Sequence, residues 1–463
     1  MKLHWFSPLL PAATEVAYYT ARVLPALAKR SRVVLWTNQS EWDTRLETHA
    51  EVREYDLANP PFAELNRDGV AFYHIGNNPL FHNAIWQMSL LHGGAVVLHD
   101  VSLHHFFDGI YRAQWQDAGG YLAEMDFHYG ATGRRDAAEC FDTNARNIDY
   151  MAQQYPLTPL ALRHALGVLV HTPEAFKKLR EQNRWPVAYA PLPFARDVAL
   201  MRRNLSTKDR QRAAVSETMP CRLIVFGYLG RNRRVDALLQ ALAGMPERAH
   251  FHLDIYGKLL ESERVCAEIA SLNLEGQVTV HGFAADEELD EALARADVAI
   301  NLRNPTMGEA SSSQLRLWDH ALPSLVTQVG WYATLPEDAV AFVRVNHEIE
   351  DIQSHLRELL VNPERFKAMG ERGREMLETN HSPEKYAEAV IRLAQLAQDF
   401  RTHAAATSLA ERAGALMSEW NKALTPDESV QRVATEICAL MGASKNAAAR
   451  DTQTAVGQTQ KAS

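Results

Sequence analysis

The chain has 463 residues, 46% of them hydrophobic and 23% charged, with a formal charge of −9. That length predicts two or three domains of about 150 residues with cores of their own, and the acidic balance argues against a nucleic-acid binder, which would want a basic face. No apolar run approaches the ~18 residues of a membrane span, and the opening MKLHWFSPLLPAATEV lacks the long apolar centre of a signal peptide. Cys140, Cys221, Cys266 and Cys438 are scattered without C-x-x-C spacing, which reads as free thiols in a reducing cytoplasm.

In chain order, LHWF is a short strand, followed by SPLLPAAT and a helix through EVAYYTARVLPALAKR. RVVLWT, VAFYHI, AVVLHD, GVLVHT and PVAYAPL read as further strands of the same half. Strands alternating with helices at this spacing predict a parallel sheet covered on both faces. The polar, basic stretch from Asp197 to Pro220 reads as a linker. A second alternating series then begins, with strands CRLIVFGYLG, HFHLDIYG, VTVHGF, DVAINLR, PSLVTQ and AVAFVRV. Its helices run through VDALLQALAG, VCAEIASLNL, DEELDEALARA, SSSQLRLWDHAL, DIQSHLRELL and RFKAMGERGREML. PEKYAEAVIRLAQLAQDF is one more amphipathic helix, and the last ~60 residues carry weaker helical signals and a disorder-prone end. Ligands of such doubly wound sheets sit outside the carboxyl ends of the strands, which directs the search to the loops after FG, YG, HGF and NLR.

Two of those loops carry anion-binding chemistry. In VFGYLGRNRRVDALL, Gly227 and Gly230 flank a turn after a strand, and Arg231, Arg233 and Arg234 crowd the next helix start. Glycine admits a ligand to the backbone and arginine can hold phosphate oxygens in pairs, although a solvated basic turn explains a lone RNRR as well. Neither G-x-G-x-x-G nor a GK[ST] loop occurs. In NPTMGEASSSQLRLWDH, several free N–H groups would meet at a helix N-terminus, with Ser312 or Ser313 as the plain N-cap reading. A carboxylate at Glu309 would repel phosphate unless it faced another part of the ligand, such as sugar hydroxyls.

FGYLGRNRRVDALLQAL, the HGF after a strand and PTMGEASSSQLRLWDHALPSLVTQVGWYATLPED resemble the donor domain of the family-4 (group 1) retaining glycosyltransferases of bacterial polysaccharide type. WFSPLLPAATEVAYYTARVLPAL, YHIGNNPLFH, VVLHD and VLVHTPEAFKKL resemble that family's first half, so the likeness covers roughly residues 1–400. It implies an α/β GT-B fold, two Rossmann-like doubly wound domains facing a cleft, with a C-terminal helical extension. The expected divisions are 1–195 for the acceptor side, 196–220 for the linker and 221–385 for the nucleotide-sugar donor domain. A helix at 386–400 would pack back on the first domain, before an extension at 401–463.

The resemblance further implies transfer of a sugar from a nucleotide diphosphate sugar with retention, no bound metal or other cofactor, and a cytoplasmic location. No D-x-D occurs in the chain. It places Arg233 on the donor phosphates with Arg231 nearby, and Glu309 on hydroxyls of the donor sugar. Gly308, Ala310, Ser311 and Ser312 would offer amides to sugar and phosphate oxygens, Gly227 would admit the phosphates, and Gly282 and Phe283 would hold the base largely by backbone. His99 would face the donor sugar from the acceptor side. Asn77 and Asn78, after a strand, either point into the cleft or simply cap a turn.

Two positions depart from the family's pattern. Leu317 stands eight residues after Glu309, where a second acid would grip ribose hydroxyls. Glu15 stands where a glycine of the first loop would let backbone approach the phosphates, so that loop is arranged differently or Glu15 faces the acceptor. His99, His104 and His105 lack a metal-binding spacing. Trp331 and Tyr332 read as packing residues near the second domain's edge, and Arg134, Arg135 and the linker arginines as a solvated face or a contact for anionic lipid. A glycan or lipid-linked acceptor is expected as the second substrate and no nucleic acid. A GT-B protein that binds nucleotide sugar or serves as a scaffold without turnover is the competing reading, and a GT-B epimerase a third.

Overall fold

A computed structural model describes residues 1–142, 147–195 and 220–420. The linker arginines, Cys438 and most of the expected extension lie outside these residues. Strands β1 (Lys2–Phe6), β2 (Arg32–Thr37), β3 (Glu51–Glu54), β4 (Val70–Ile75), β5 (Gly94–Leu98), β6 (Ala165–Val170) and β7 (Val187–Tyr189) form one parallel sheet, ordered β3-β2-β1-β4-β5-β6-β7. A second parallel sheet holds β8 (Cys221–Leu229), β9 (Phe251–Leu259), β10 (Val278–Gly282), β11 (Val298–Asn301), β12 (Ser324–Thr327) and β13 (Ala341–Val343), ordered β10-β9-β8-β11-β12-β13. The strand order reverses beside β1 in the first sheet and beside β8 in the second. Those are the points where loops diverge and leave room for a ligand. Only β3 among the thirteen strands escaped the sequence reading, because EVRE is an edge strand with no apolar alternation.

β4 and β6 are buried along their whole length, as VAFYHI and ALGVLV require of strands covered on both faces. Between β5 and β6 lies a helical insertion that the sequence reading left without structure. Its longest helix, Ala118–Asp142, is broken at Gly130, whose φ is +67°. Phe106, Phe107, Ile110, Tyr121 and Met125 give the insertion a core continuous with the β5–β6 face.

The last described helix, Pro383–Trp420, is longer than the predicted 386–400 and continues without a break where the sequence suggested an extension. It lies on β6 and against the helix Glu15–Ala28. Gly167 of β6 permits this packing, since a Cβ there would come within 2.9 Å of Leu393. The apolar core around this helix joins both halves: Trp5, Tyr19 and Val97 from the first share it with Leu315, Trp318, Trp331 and Tyr332 from the second. Trp331 and Tyr332 are therefore interior residues between the halves, not edge residues. Among the described residues Cys140, Cys221 and Cys266 are free thiols, and no helix is long and apolar enough to cross a membrane.

Candidate functional site

β8 runs into a short 3-10 turn, Arg231–Arg233, and the three arginines part company there. Arg231 points outward, its Nε 2.7 Å from Glu261 Oε1. Arg234, at φ +53°, sends its Nε to Glu348 Oε1 at 3.2 Å. Arg233 turns inward and is only 4% exposed. Its Nη2 donates to the Phe226 carbonyl at 3.1 Å, while Nε and Nη1, both buried, make no hydrogen bond. Burial, with Arg303 beside it, pulls this guanidinium down to about 10. An unsatisfied buried donor is rare in proteins and marks a place built to receive an acceptor.

The loop after β11 lies alongside. The Asn304 N–H donates to the Asn232 carbonyl at 2.8 Å, which ties this loop to the turn carrying Arg233. Arg303 reaches Glu309 through Nη1. The other carboxylate oxygen of Glu309 accepts from the Thr306 hydroxyl at 2.9 Å and the Met307 N–H at 2.7 Å. Burial opposes the charge of Arg303, but Glu309 outweighs it and raises the guanidinium above its ordinary range. Glu309 is thus folded back into its own loop. The buried Tyr332 hydroxyl faces both guanidinium groups, beside Arg233 but outside good hydrogen-bond geometry.

Ser311, neither Ser312 nor Ser313, is the N-cap of the helix Ser312–Asp319. Its hydroxyl accepts the Gln314 N–H at 3.2 Å. Gln314 fixes the helix start to the sheet, accepting from Asn301 Nδ2 at 3.0 Å and donating to Ser324 Oγ at 2.8 Å. The cap occupies the Ser311 side chain, so the donors left at this helix start are its backbone amides. Ala310 packs against the shared core. Gly308 sits at φ +79° with a hypothetical Cβ 2.9 Å from Val101 Cβ, so only glycine passes here at so close an approach.

Val101 belongs to the first half, and the contact continues through backbone. The Val101 and Ser102 N–H groups both donate to the Met307 carbonyl, each at 2.9 Å. The cleft is therefore shut at this edge, with the loop after β5 against the loop after β11. His99 lies at that edge, half-buried, with Nε2 3.0 Å from His74 Nδ1 and the Tyr19 ring edge-on at 4.9 Å. His171 stands 5.4 Å away between ring centres. Burial holds His74 and His99 well below the ordinary histidine range, so both are neutral. Asp100 follows; its Oδ2 accepts the Asn77 N–H at 2.8 Å, and burial together with Glu309 pushes its carboxyl up to about 7.

The other predicted residues fall as follows. Asn78 caps the helix Pro79–Leu91 through its side-chain oxygen on the Leu80 N–H at 3.0 Å. The Asn77 side chain bridges Ser102 and Phe106, so both asparagines serve the backbone around the site. Glu15 opens the helix Glu15–Ala28, which Thr14 caps, and its carboxylate is 2.6 Å from Arg22 Nη1. A carboxylate in the first turn of a helix and paired with arginine needs no ligand to account for it. Gly227 (φ +111°) and Gly282 (φ +76°) both border open space, and the Phe283 side chain is 80% exposed. Leu317 is fully buried with Ile224, Phe226, Tyr256 and Leu293. His104 bonds the Tyr155 carbonyl and Tyr121 hydroxyl, and His105 the Asp149 carboxylate. Arg134 and Arg135 are exposed.

Sequence reasoning missed Arg303, Asp100, Tyr332 and His74. Arg303 was legible as a charge at the end of the apolar strand DVAINLR, and Asp100 as the acid after His99. Nothing local marks Tyr332 or His74: His74 meets His99 through the pairing of β4 with β5, and Tyr332 reaches the two arginines through packing within the second half.

Against solved structures, the chain is similar to sucrose-phosphate synthase from Thermosynechococcus elongatus, with 16% identity and a TM-score of 0.57 over 85% of this chain and 98% of that one. HepE of Anabaena in complex with UDP gives 13% identity and 0.55, covering 84% and 98%. A Rickettsia africae glycosyltransferase gives 13% and 0.52, covering 86% and 98%. No curated protein sequence matches. The family model described as glycosyl transferases group 1 matches residues 207–376, so the half that carries Arg233, Arg303 and Glu309 has that family's pattern, and the chain as a whole has the GT-B fold.

Proposed function

We propose that the protein is a retaining, family-4 type glycosyltransferase that moves a hexose from a nucleotide diphosphate sugar to a glycan or lipid-linked acceptor of a surface polysaccharide. The observation that carries this reading is Arg233, a buried guanidinium with two unsatisfied nitrogens at the carboxyl end of β8. HepE has been solved with UDP and with UDP-glucose, and the same chemistry suits the cleft here.

Departure of a nucleoside diphosphate develops negative charge on the β-phosphate and positive charge at the anomeric carbon. Arg233 and the amides at the start of the helix Ser312–Asp319 stabilise the former electrostatically, and no metal is required for that step. Glu309 turns from its own loop to hydroxyls of the donor sugar. His99, neutral and held by His74, offers a hydrogen bond from the opposite wall. Contact between Val101 and Gly308 aligns the two substrates and excludes water. The exposed Arg134 and Arg135 suit peripheral contact with an anionic cytoplasmic membrane face.

Leu317 favours the second reading, a nucleotide-sugar binder without turnover, since its apolar surroundings leave a ribose without that acid. Thermal shift against a panel of nucleotide sugars, followed by hydrolysis and transfer assays, separates the two. Stabilisation with turnover supports the enzyme, stabilisation without turnover the binder, and no stabilisation by any member ends both. Glu309→Ala should abolish transfer with diphosphate affinity within a few-fold, whereas Arg233→Ala should weaken both.

A further inference from the structure

We propose that Arg303 is a second phosphate ligand of the cleft, held by Glu309 until a nucleoside diphosphate arrives and then turned to it. The inference rests on the reading of this cleft as a nucleotide-sugar site. Its first ground is position. β8 and β11 are neighbours in the sheet, and the Asn304 to Asn232 bond brings the residues after their ends together, so Arg303 and Arg233 approach one another from adjacent strands.

The second ground is charge. Two guanidinium groups stand close enough in a buried place for one to disfavour the charge of the other. Arg303 has Glu309, while Arg233 has only a carbonyl. Bringing like charges together away from water is unfavourable, and a dianion between them reverses the sign. Arg231 and Arg234 do not fill this role where they stand, because their side chains are turned elsewhere, to Glu261 and Glu348.

Hydrogen bonding supplies the third ground. Arg233 Nε and Nη1 and Arg303 Nε are buried outside hydrogen-bond geometry, and the buried Tyr332 hydroxyl lies beside both guanidinium groups. A guanidinium serving only to anchor Glu309 would set its planar fork on both carboxylate oxygens. Here the second oxygen belongs to Thr306 and Met307, and Arg303 keeps a free edge. Donors grouped side by side in this way suit the oxygens of a phosphate.

The test is calorimetric titration of the full chain with ADP, CDP, GDP, UDP and dTDP, and with the matching nucleoside. Binding of none by the unaltered protein refutes the nucleotide-sugar reading, and this inference with it. Where one binds, Arg303→Gln should weaken the diphosphate roughly tenfold or more and leave the nucleoside unchanged, as the loss of charge-assisted hydrogen bonds requires. A loss smaller than threefold overturns the proposal while leaving the nucleotide-sugar reading intact. Arg303→Gln/Glu309→Gln, which keeps the charge balance of the loop, distinguishes a ligand from a prop. It should bind the diphosphate at least threefold more weakly than Glu309→Gln alone. Recovery closer than that to Glu309→Gln would show that Arg303 acts only through Glu309.

Discussion

Replacing Gly308 with alanine probes whether the two halves meet in solution as they do here. At φ +79° a side chain strains the backbone by about 1 kcal/mol. The new methyl would stand 2.9 Å from Val101 Cβ and 3.1 Å from Val101 Cγ2, well inside the roughly 3.5–4.0 Å of carbon contacts. Relief means moving Met307 away from the Val101 and Ser102 N–H groups, with about 1 kcal/mol at stake in each bond. The total is about 2–3 kcal/mol, or a fall in melting temperature of about 4–12 °C for a unit of this size. Because the backbone strain stays whatever the neighbour is, a double-mutant cycle with Val101→Gly isolates the contact. Removing Val101 Cβ should recover about 1–2 kcal/mol of the Gly308→Ala loss. Thermal unfolding of the four proteins measures it. Additivity within about 0.5 kcal/mol would mean that Gly308 and Val101 do not touch in solution, and the shut cleft edge would have to be abandoned.

Asp100 makes an opposite-signed pH prediction. Its carboxyl is raised to about 7, above its unfolded value, so the folded state holds the extra proton between about pH 4 and 7 and loses stability as pH rises through that window. Asp100→Asn should gain stability relative to the parent across the same window, by a few kcal/mol at pH 8; a difference in melting temperature that does not change with pH would contradict this. The buried histidines act the other way: His82 and His171 are held down to about 4 by burial, so stability present above pH 6.5 is lost as pH falls toward 4. His82→Gln, which can still donate to the His74 carbonyl, should flatten that acid limb by up to one proton, read from melting temperature against pH. Leu317→Glu, which writes the missing acid back, should lower stability by at least about 3 kcal/mol and gain no nucleotide affinity, since the carboxylate enters an apolar core; a stable variant with tighter diphosphate binding would refute the packing argument.

The inner strands of both sheets were legible because they are buried on both faces, and runs such as VAFYHI and ALGVLV leave no other reading. EVRE failed for the converse reason. Its pairing to β2 runs through backbone, and its side chains carry charges to solvent. The site divides along the same line. Arg233, Glu309 and Gly308 lie in loops whose composition advertises them, whereas Tyr332 is recruited from a 3-10 turn by interior packing and His74 from the middle of a buried strand. A period-two pattern records that His74 is inside, but not that its ring meets His99 on the neighbouring strand.

The two departures from the family's pattern then have different physical meanings. Glu15 is explained locally, by a helix first turn and Arg22, so its charge is already paired within the first half. Leu317 is explained by its neighbours: Phe226 lies in the same apolar cluster, and its carbonyl holds Arg233. An acid there would disturb the strand end that positions the guanidinium. On the proposed donor-site reading, Leu317 would give up a ribose contact while keeping a rigid apolar backing for the strand end that carries Arg233, and Arg303 would add charge on that same side. On that reading the balance of donor binding would lie with the diphosphate, where the charge of the leaving group develops, and not with the ribose hydroxyls.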